Sequence, residues 1–156
     1  MALDQLSFPA LTKTRTRVVK HLVRAAKRDR VALQKALGLT DRQLGELDKD
    51  AALFTAPTLP ALELYTGIVY DNLDYASLRG AAKKRADASL VVASALFGLL
   101  RPTDRIPSYR LSGGTSVPGL GGLGSLWRPV LEPVLGDGEE LVVDLRKTVN
   151  SVDALL

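Results

Sequence analysis

The chain has 156 residues, 46% of them hydrophobic and 24% charged, with 21 lysines and arginines against 17 acids and a net charge of +4. That is enough for one domain with its own core over residues 1–156, helical over about 10–53 and made of strands and loops over about 61–146. There is no cysteine, which excludes disulfide partners, thiolate nucleophiles and cysteine-ligated metals and suits a reducing compartment; the start, Met1 to Pro9, has neither the basic nor the apolar region of a secretory signal, and no run approaches the roughly 20 apolar residues of a bilayer span, so no membrane contact and a cytoplasmic location are expected.

A first helix is expected from about Leu11 to Lys27, where Leu11, Val18, Leu22 and Ala25 recur at helical spacing. Lys13, Arg17, Lys20, Arg24 and Lys27 follow one another at intervals of 4, 3, 4 and 3 residues, so their cations project from one face over about 20 Å. Between Lys13 and Arg30 nine basic residues, counting His21, face a single acid, Asp29. Such a stripe is either a solvated face balanced by acids elsewhere in the fold or a track for phosphates. A second helix over 29–37 should close at Gly38, because glycine accepts the left-handed position after a helix. Thr40 and Gln43 have the spacing of a capping box, which predicts a third helix through Ala52 with Leu44 and Leu47 turned inward.

Thr55 to Pro60 is a proline-broken connection. Ala61 to Tyr70 has the mixed periodicity of a buried helix or a buried strand. Tyr65, Thr66 and Gly67, followed by Tyr70, Asp71 and Asn72, supply phenols and hydrogen-bonding groups that suit either the wall of a pocket or a buried aromatic corner. A short basic helix is expected over 78–87, then a buried strand from Ala88 to Leu96. The strand runs into S-A-L-F-G-L-L-R-P-T-D-R-I-P-S-Y-R-L-S-G-G (94–114), a loop that gathers Arg101, Asp104, Arg105, Tyr109 and Arg110. Guanidinium groups offer a rigid fork to phosphate or carboxylate, and the prolines remove loop entropy before a ligand arrives. Functional loops sit at the carboxyl ends of buried strands, so these five residues are expected to face one cleft.

Val117 to Gly124 is a glycine-rich turn that should open a helix over about 126–135. Its glycine spacing is wrong for a dinucleotide fingerprint, and no P-loop lysine follows. It is similar to the hairpin of helix-hairpin-helix modules, which hold the DNA backbone without reading sequence; a plain flexible loop is the alternative. Glu140 to Leu145 reads as a last short buried strand. The fold class is therefore α/β in the mixed α+β sense, with N-terminal helices followed by a small mixed sheet with buried strands and a central arginine-rich loop.

Read in order, T-A-P-x-x-P, then Y-T-G, then the block around L-R-P-x-D-x-x-x-x-Y-R-L, then W-R-P and V-V-D-L resemble the YaaA family of peroxide stress proteins over roughly Leu6 to Leu145. The most specific matches are Tyr65 to Gly67 and Leu99 to Leu111. Against the family pattern Ala95 and Phe97 stand for glycine and tyrosine, and Gly113 for methionine. The family's opening strand and basic C-terminal third have no counterpart, so a core fragment truncated at both ends is expected. The resemblance implies a cytosolic protein of the hydrogen peroxide response that limits free iron, with relatives that bind nucleic acid through a basic cleft.

From the residues themselves, Arg101, Arg105, Tyr109, Arg110, Lys13, Arg17, Lys20 and Arg24 are the candidates for holding double-stranded DNA or another phosphate-containing ligand, and Tyr65, Thr66, Gly67 and Asp104 for lining a pocket. Backbone binding of this kind is salt-sensitive and indifferent to sequence. No cofactor or metal is implied, since the one histidine, His21, lies amid positive charge and no acid cluster has ligand spacing. The alternatives are a nucleotide-modifying enzyme with Asp104 or Tyr109 as acid or base, or an inactive remnant. Ser94, Ser108 and Ser112 lack the context of a nucleophile, so a binding protein fits better than an enzyme.

Overall fold

A computed structural model describes residues 1–135 and Val143. The longest helix, α1 (Thr12–Arg28), carries Val18, Val19, Leu22 and Ala26 fully buried on one face, together with Arg15, and its other lysines and arginines away from it, as helical periodicity requires. Helix α2 (Arg30–Leu37) ends at Gly38, whose φ of 62° lets the Leu39 N–H turn back to the Gln34 carbonyl at 3.0 Å, the left-handed closure expected of glycine. The Thr40 N–H donates to Gln43 Oε1 at 3.1 Å, completing a capping box. That box opens a 3-10 turn, Asp41–Gln43, and only then α3 (Gly45–Ala51). The tighter turn changes the register, so Leu47 is buried as expected while Leu44 is 36% exposed.

The stretch from Ala61 to Tyr70 is helical in two pieces, α4 (Ala61–Leu64) and α5 (Ile68–Leu73), broken at Tyr65 to Gly67. The basic helix α6 (Gly80–Ser89) follows. The helices are joined by three separate antiparallel pairs: β1 (Leu59–Pro60) with β4 (Arg105–Ile106), β2 (Val92–Ser94) with β3 (Gly98–Leu100), and β5 (Ser116–Val117) with β6 (Gly121–Gly122). The architecture is mixed α+β, with these pairs in place of one continuous mixed sheet. The expected strand from Ala88 to Leu96 is corrected: Ala88 and Ser89 close α6, Leu90 and Val91 connect, and Ala95 to Phe97 form the turn of the β2–β3 hairpin. Polar closure is the reason, because Ser94 Oγ accepts the Phe97 N–H at 3.0 Å and ends the strand. The arginine-rich loop therefore leaves β3, not β2.

The hairpin is held from two sides. From α1, the fully buried Arg15 donates through Nε to the Phe97 carbonyl at 2.7 Å and through Nη2 to that of Leu99 at 2.5 Å. From α7 (Leu123–Leu135), Trp127 donates its indole N–H to the Ala95 carbonyl at 2.9 Å and lays its ring on Gly98. Helix α7 begins three residues earlier than its sequence suggests, directly off the β5–β6 hairpin, where Gly119 and Gly121 take φ values of 76° and 87°. The strand expected over Glu140 to Leu145 lies outside the described residues, Val143 apart; Val143 is exposed and in no regular element.

Candidate functional site

The five expected loop residues divide between bracing and lining. Asp104 is buried; its Oδ1 accepts the Ser7 N–H at 3.0 Å and the Ser7 hydroxyl at 2.9 Å, and its Oδ2 accepts the Arg101 N–H at 2.8 Å. Its lone pairs are committed to closing the loop and pinning the N-terminal segment. Arg101 donates to the carbonyls of Ala88 at 2.8 Å and Leu90 at 3.2 Å and lies over the Phe8 ring at 5.2 Å. Arg105 donates to the carbonyl and hydroxyl of Thr58. The expected convergence of three arginines on one cleft is thus not formed, because carbonyls left open beside the short strands take two of the guanidinium groups in different directions. Tyr109 and Arg110 do share a cleft, and Tyr65 joins them from the end of α4.

That cleft has a volume of about 230 Å³. Leu37, Leu64 and Leu111 give it apolar wall, Tyr65, Ser108, Tyr109, Ser112 and Thr115 give it hydroxyls, and Arg110 is its only cation among the described residues. The phenol oxygens of Tyr65 and Tyr109 lie 2.6 Å apart, and Tyr109 is 2.8 Å from Ser94 Oγ. Burial raises the pKa of both phenols, that of Tyr65 well above the usual value. Held neutral, they act as hydrogen-bonding groups and not as bases near neutral pH. The Tyr65 ring also stacks on Tyr70 at 5.6 Å, and Tyr109 meets Phe97 edge-on at 5.5 Å. Of the two phenols that the sequence offers here, Tyr65 lines the cleft and Tyr70, its stacking partner, does not. Thr66 and Gly67 are exposed and do not line the cleft.

Behind the cleft sits Asp50, fully buried, its Oδ1 accepting the Arg110 N–H at 2.9 Å and its Oδ2 unpartnered among the described residues. Loss of hydration pushes its pKa up to about 7, with nearby Glu46 adding to the rise and the Arg110 N–H, Lys49 and the Arg110 charge opposing it. Asp50 closes an acidic stretch of the sequence, Asp41 to Asp50, and is not among the expected site residues. The available signal is its place between Leu47 and Leu53, three residues from each, on the apolar stripe of α3. Arg15 hides similarly within the basic run: two residues from Lys13 it is turned by about 200°, onto the face of Val18 and Leu22.

The basic face of α1 stands apart from this cleft. Lys13, Arg17, Lys20, Arg24 and Lys27 are all exposed, and none has an ion-pair partner among the described residues. Arg17 and Thr14 border a second groove, of about 390 Å³, whose other wall is Leu120, Gly122, Ser125, Leu126, Pro129 and Val130. The basic stripe and the glycine turn, separate features of the sequence, therefore meet. Among the described residues no three histidine or acid side chains are placed to hold a metal, and no helix is long and apolar enough to cross a membrane.

Fold and sites together describe a helix-led α+β domain with a cationic helix face and a small hydroxyl-lined cleft. A family profile described as peroxide stress protein YaaA matches residues 2–149, and the chain belongs to that family. A UPF0246 protein of Streptomyces coelicolor is 49% identical over 143 residues, covering 90% of this chain and 55% of the relative. A second, from Corynebacterium glutamicum, is 41% identical over 145 residues, covering 90% of this chain and 56% of the relative. One from Bacteroides thetaiotaomicron is 43% identical over 76 residues, which are 47% of this chain and 30% of that one. The chain spans a little over half the length of the first two.

Proposed function

We propose that this chain is the polyanion-binding part of a cytosolic peroxide stress protein, and that it holds the phosphate backbone of duplex DNA against the basic face of α1. The observation that carries the reading is the set of five exposed cations on that face with no acid paired to any of them among the described residues. The exposed Lys13, Arg17, Lys20, Arg24 and Lys27, with Asp29 the single acid of this stretch, leave a field that an anionic partner neutralises. Lys13, Arg17, Lys20 and Arg24 are the principal phosphate-binding residues. The groove beside Arg17, with the hydroxyls of Thr14 and Ser125 and the amide-rich glycine turn, suits a phosphate entering between α1 and α7. Arg101, Arg105, Tyr109 and Arg110 are secondary, since the first two already donate to the chain's own carbonyls. Restraint of free iron, the role the family resemblance implies, then follows from action on nucleic acid and not from an iron site within the described residues.

Fluorescence anisotropy with two unrelated duplexes tests this. Affinity should be equal for both and fall linearly with salt on logarithmic axes; replacing Lys13, Arg17, Lys20 and Arg24 by alanine should flatten that slope by about 3 to 4, near 0.9 for each phosphate no longer neutralised. No binding at low salt, or an unchanged slope in a variant whose circular dichroism shows it folded, overturns the reading.

A further inference from the structure

The geometry points to a second site: the cleft between α2, the end of α4 and the loop after β4 binds a small aromatic carboxylate. This goes beyond the DNA reading and rests on different residues, since no α1 side chain lines the cleft.

Size sets the first limit. A volume of about 230 Å³ holds about eight waters at about 30 Å³ each, which corresponds to a ligand of about ten non-hydrogen atoms. Charge sets the second. Arg110 is exposed, and its guanidinium has no hydrogen-bond or ion-pair partner among the described residues. Its planar fork matches a planar carboxylate through two parallel hydrogen bonds. One cation offsets one negative charge, and the second charge of a dianion such as phosphate would find no partner among the lining residues.

The rest of the lining sets the third. Leu64 and Leu111, with the ring of Tyr65, offer apolar surface of the kind a flat ring buries. Ser108 has no hydrogen-bond partner among the described residues, and the paired hydroxyls of Ser112 and Thr115, 2.9 Å apart, keep further lone pairs for a ligand. The phenol chain from Tyr65 through Tyr109 to Ser94 fixes the back wall, so the site exists before the ligand arrives and little ordering entropy opposes binding.

Benzoate is the probe. In ¹⁵N-¹H correlation spectra of the full chain, titration to about 10 mM, a range that detects millimolar dissociation constants, should shift the amides of Ser108 to Ser112 saturably. Calorimetry should show Arg110→Ala, or Arg110→Gln with its comparable length, binding benzoate about tenfold more weakly or worse, the loss expected for one charge-assisted pair. Benzyl alcohol, with the same ring and no charge, should show the same weakening, and inorganic phosphate should leave the cleft amides unmoved. Absence of saturable shifts at these amides, equal affinity in the Arg110 variants, or displacement of benzoate by phosphate overturns the inference. Salt-dependent DNA binding through α1 would stand untouched by such a failure, and the reverse holds.

Discussion

Arg15 and Asp50 show how one residue can organise distant backbone at the expense of its own hydration. Arg15 keeps its charge at neutral pH: burial lowers its pKa to about 10 and the charge of Asp104 opposes that fall, while two carbonyls replace water at Nε and Nη2 and Nη1 has no partner among the described residues. Asp50 has one donor and an open second oxygen, so its proton is retained to about pH 7. The sign of the resulting linkage is unusual for an acid. With the folded pKa about 7 and the ordinary value 3.8, the unfolded chain releases this proton first; the stability tied to the neutral carboxyl is fully present below about pH 4 and lost as the pH rises through 7. Asp50→Asn keeps an acceptor for the Arg110 N–H and cannot ionise. Its melting temperature, measured from pH 4 to pH 8, should lack the decline that the native chain owes to this group; parallel curves would refute the assignment. Both residues sit on apolar stripes, so their burial was legible in periodicity. Their partners were not, because residue spacing along a helix says nothing about which distant carbonyl or amide arrives opposite.

At the scale of elements, the β2–β3 hairpin depends on the absence of a side chain. Gly98 has φ of 74°, and a Cβ there would lie 2.7 Å from Cζ3 of Trp127. Gly98→Ala therefore meets left-handed backbone strain and an immovable indole together, and should cost about 2–4 kcal/mol in urea unfolding. A loss below about 1 kcal/mol, with unchanged Trp127 emission, would mean that the helix gives way easily. Elements set by local rules were readable from the residues: α1 from its apolar spacing, the close of α2 from Gly38, the Thr40–Gln43 box. The Ala88 to Leu96 run was not, since a buried apolar stretch has the same composition whether it runs straight or folds back. The turn was decided by Ser94, Gly98 and the arriving Trp127. The arginine loop illustrates the same limit. Its guanidinium density was plain, but two of the three forks were drawn to open carbonyls at Thr58, Ala88 and Leu90 that no sequence spacing foretells.

For the molecule as a whole, cohesion comes from ties between its helical and strand-bearing parts and not from any one sheet. Arg15 to Phe97, Ser7 to Asp104 and Arg110 to Asp50 join positions 82, 97 and 60 residues apart. All three would break together, which predicts one cooperative unit. In urea, the helical signal in circular dichroism and the emission of the single tryptophan, Trp127, should trace the same transition; two separated midpoints would divide the chain into independent halves. The same core has a chemical consequence. Most of its interior is hydrocarbon and aromatic, the one indole is wholly enclosed, and the only sulfur in the chain is the thioether of Met1 at the edge of that interior. Hydrogen peroxide finds no sulfenic or sulfinic step to drive here, so, sulfoxidation of Met1 aside, these residues pass through an oxidant burst without a thiol to surrender, and no cysteine of this chain can serve as its sensor.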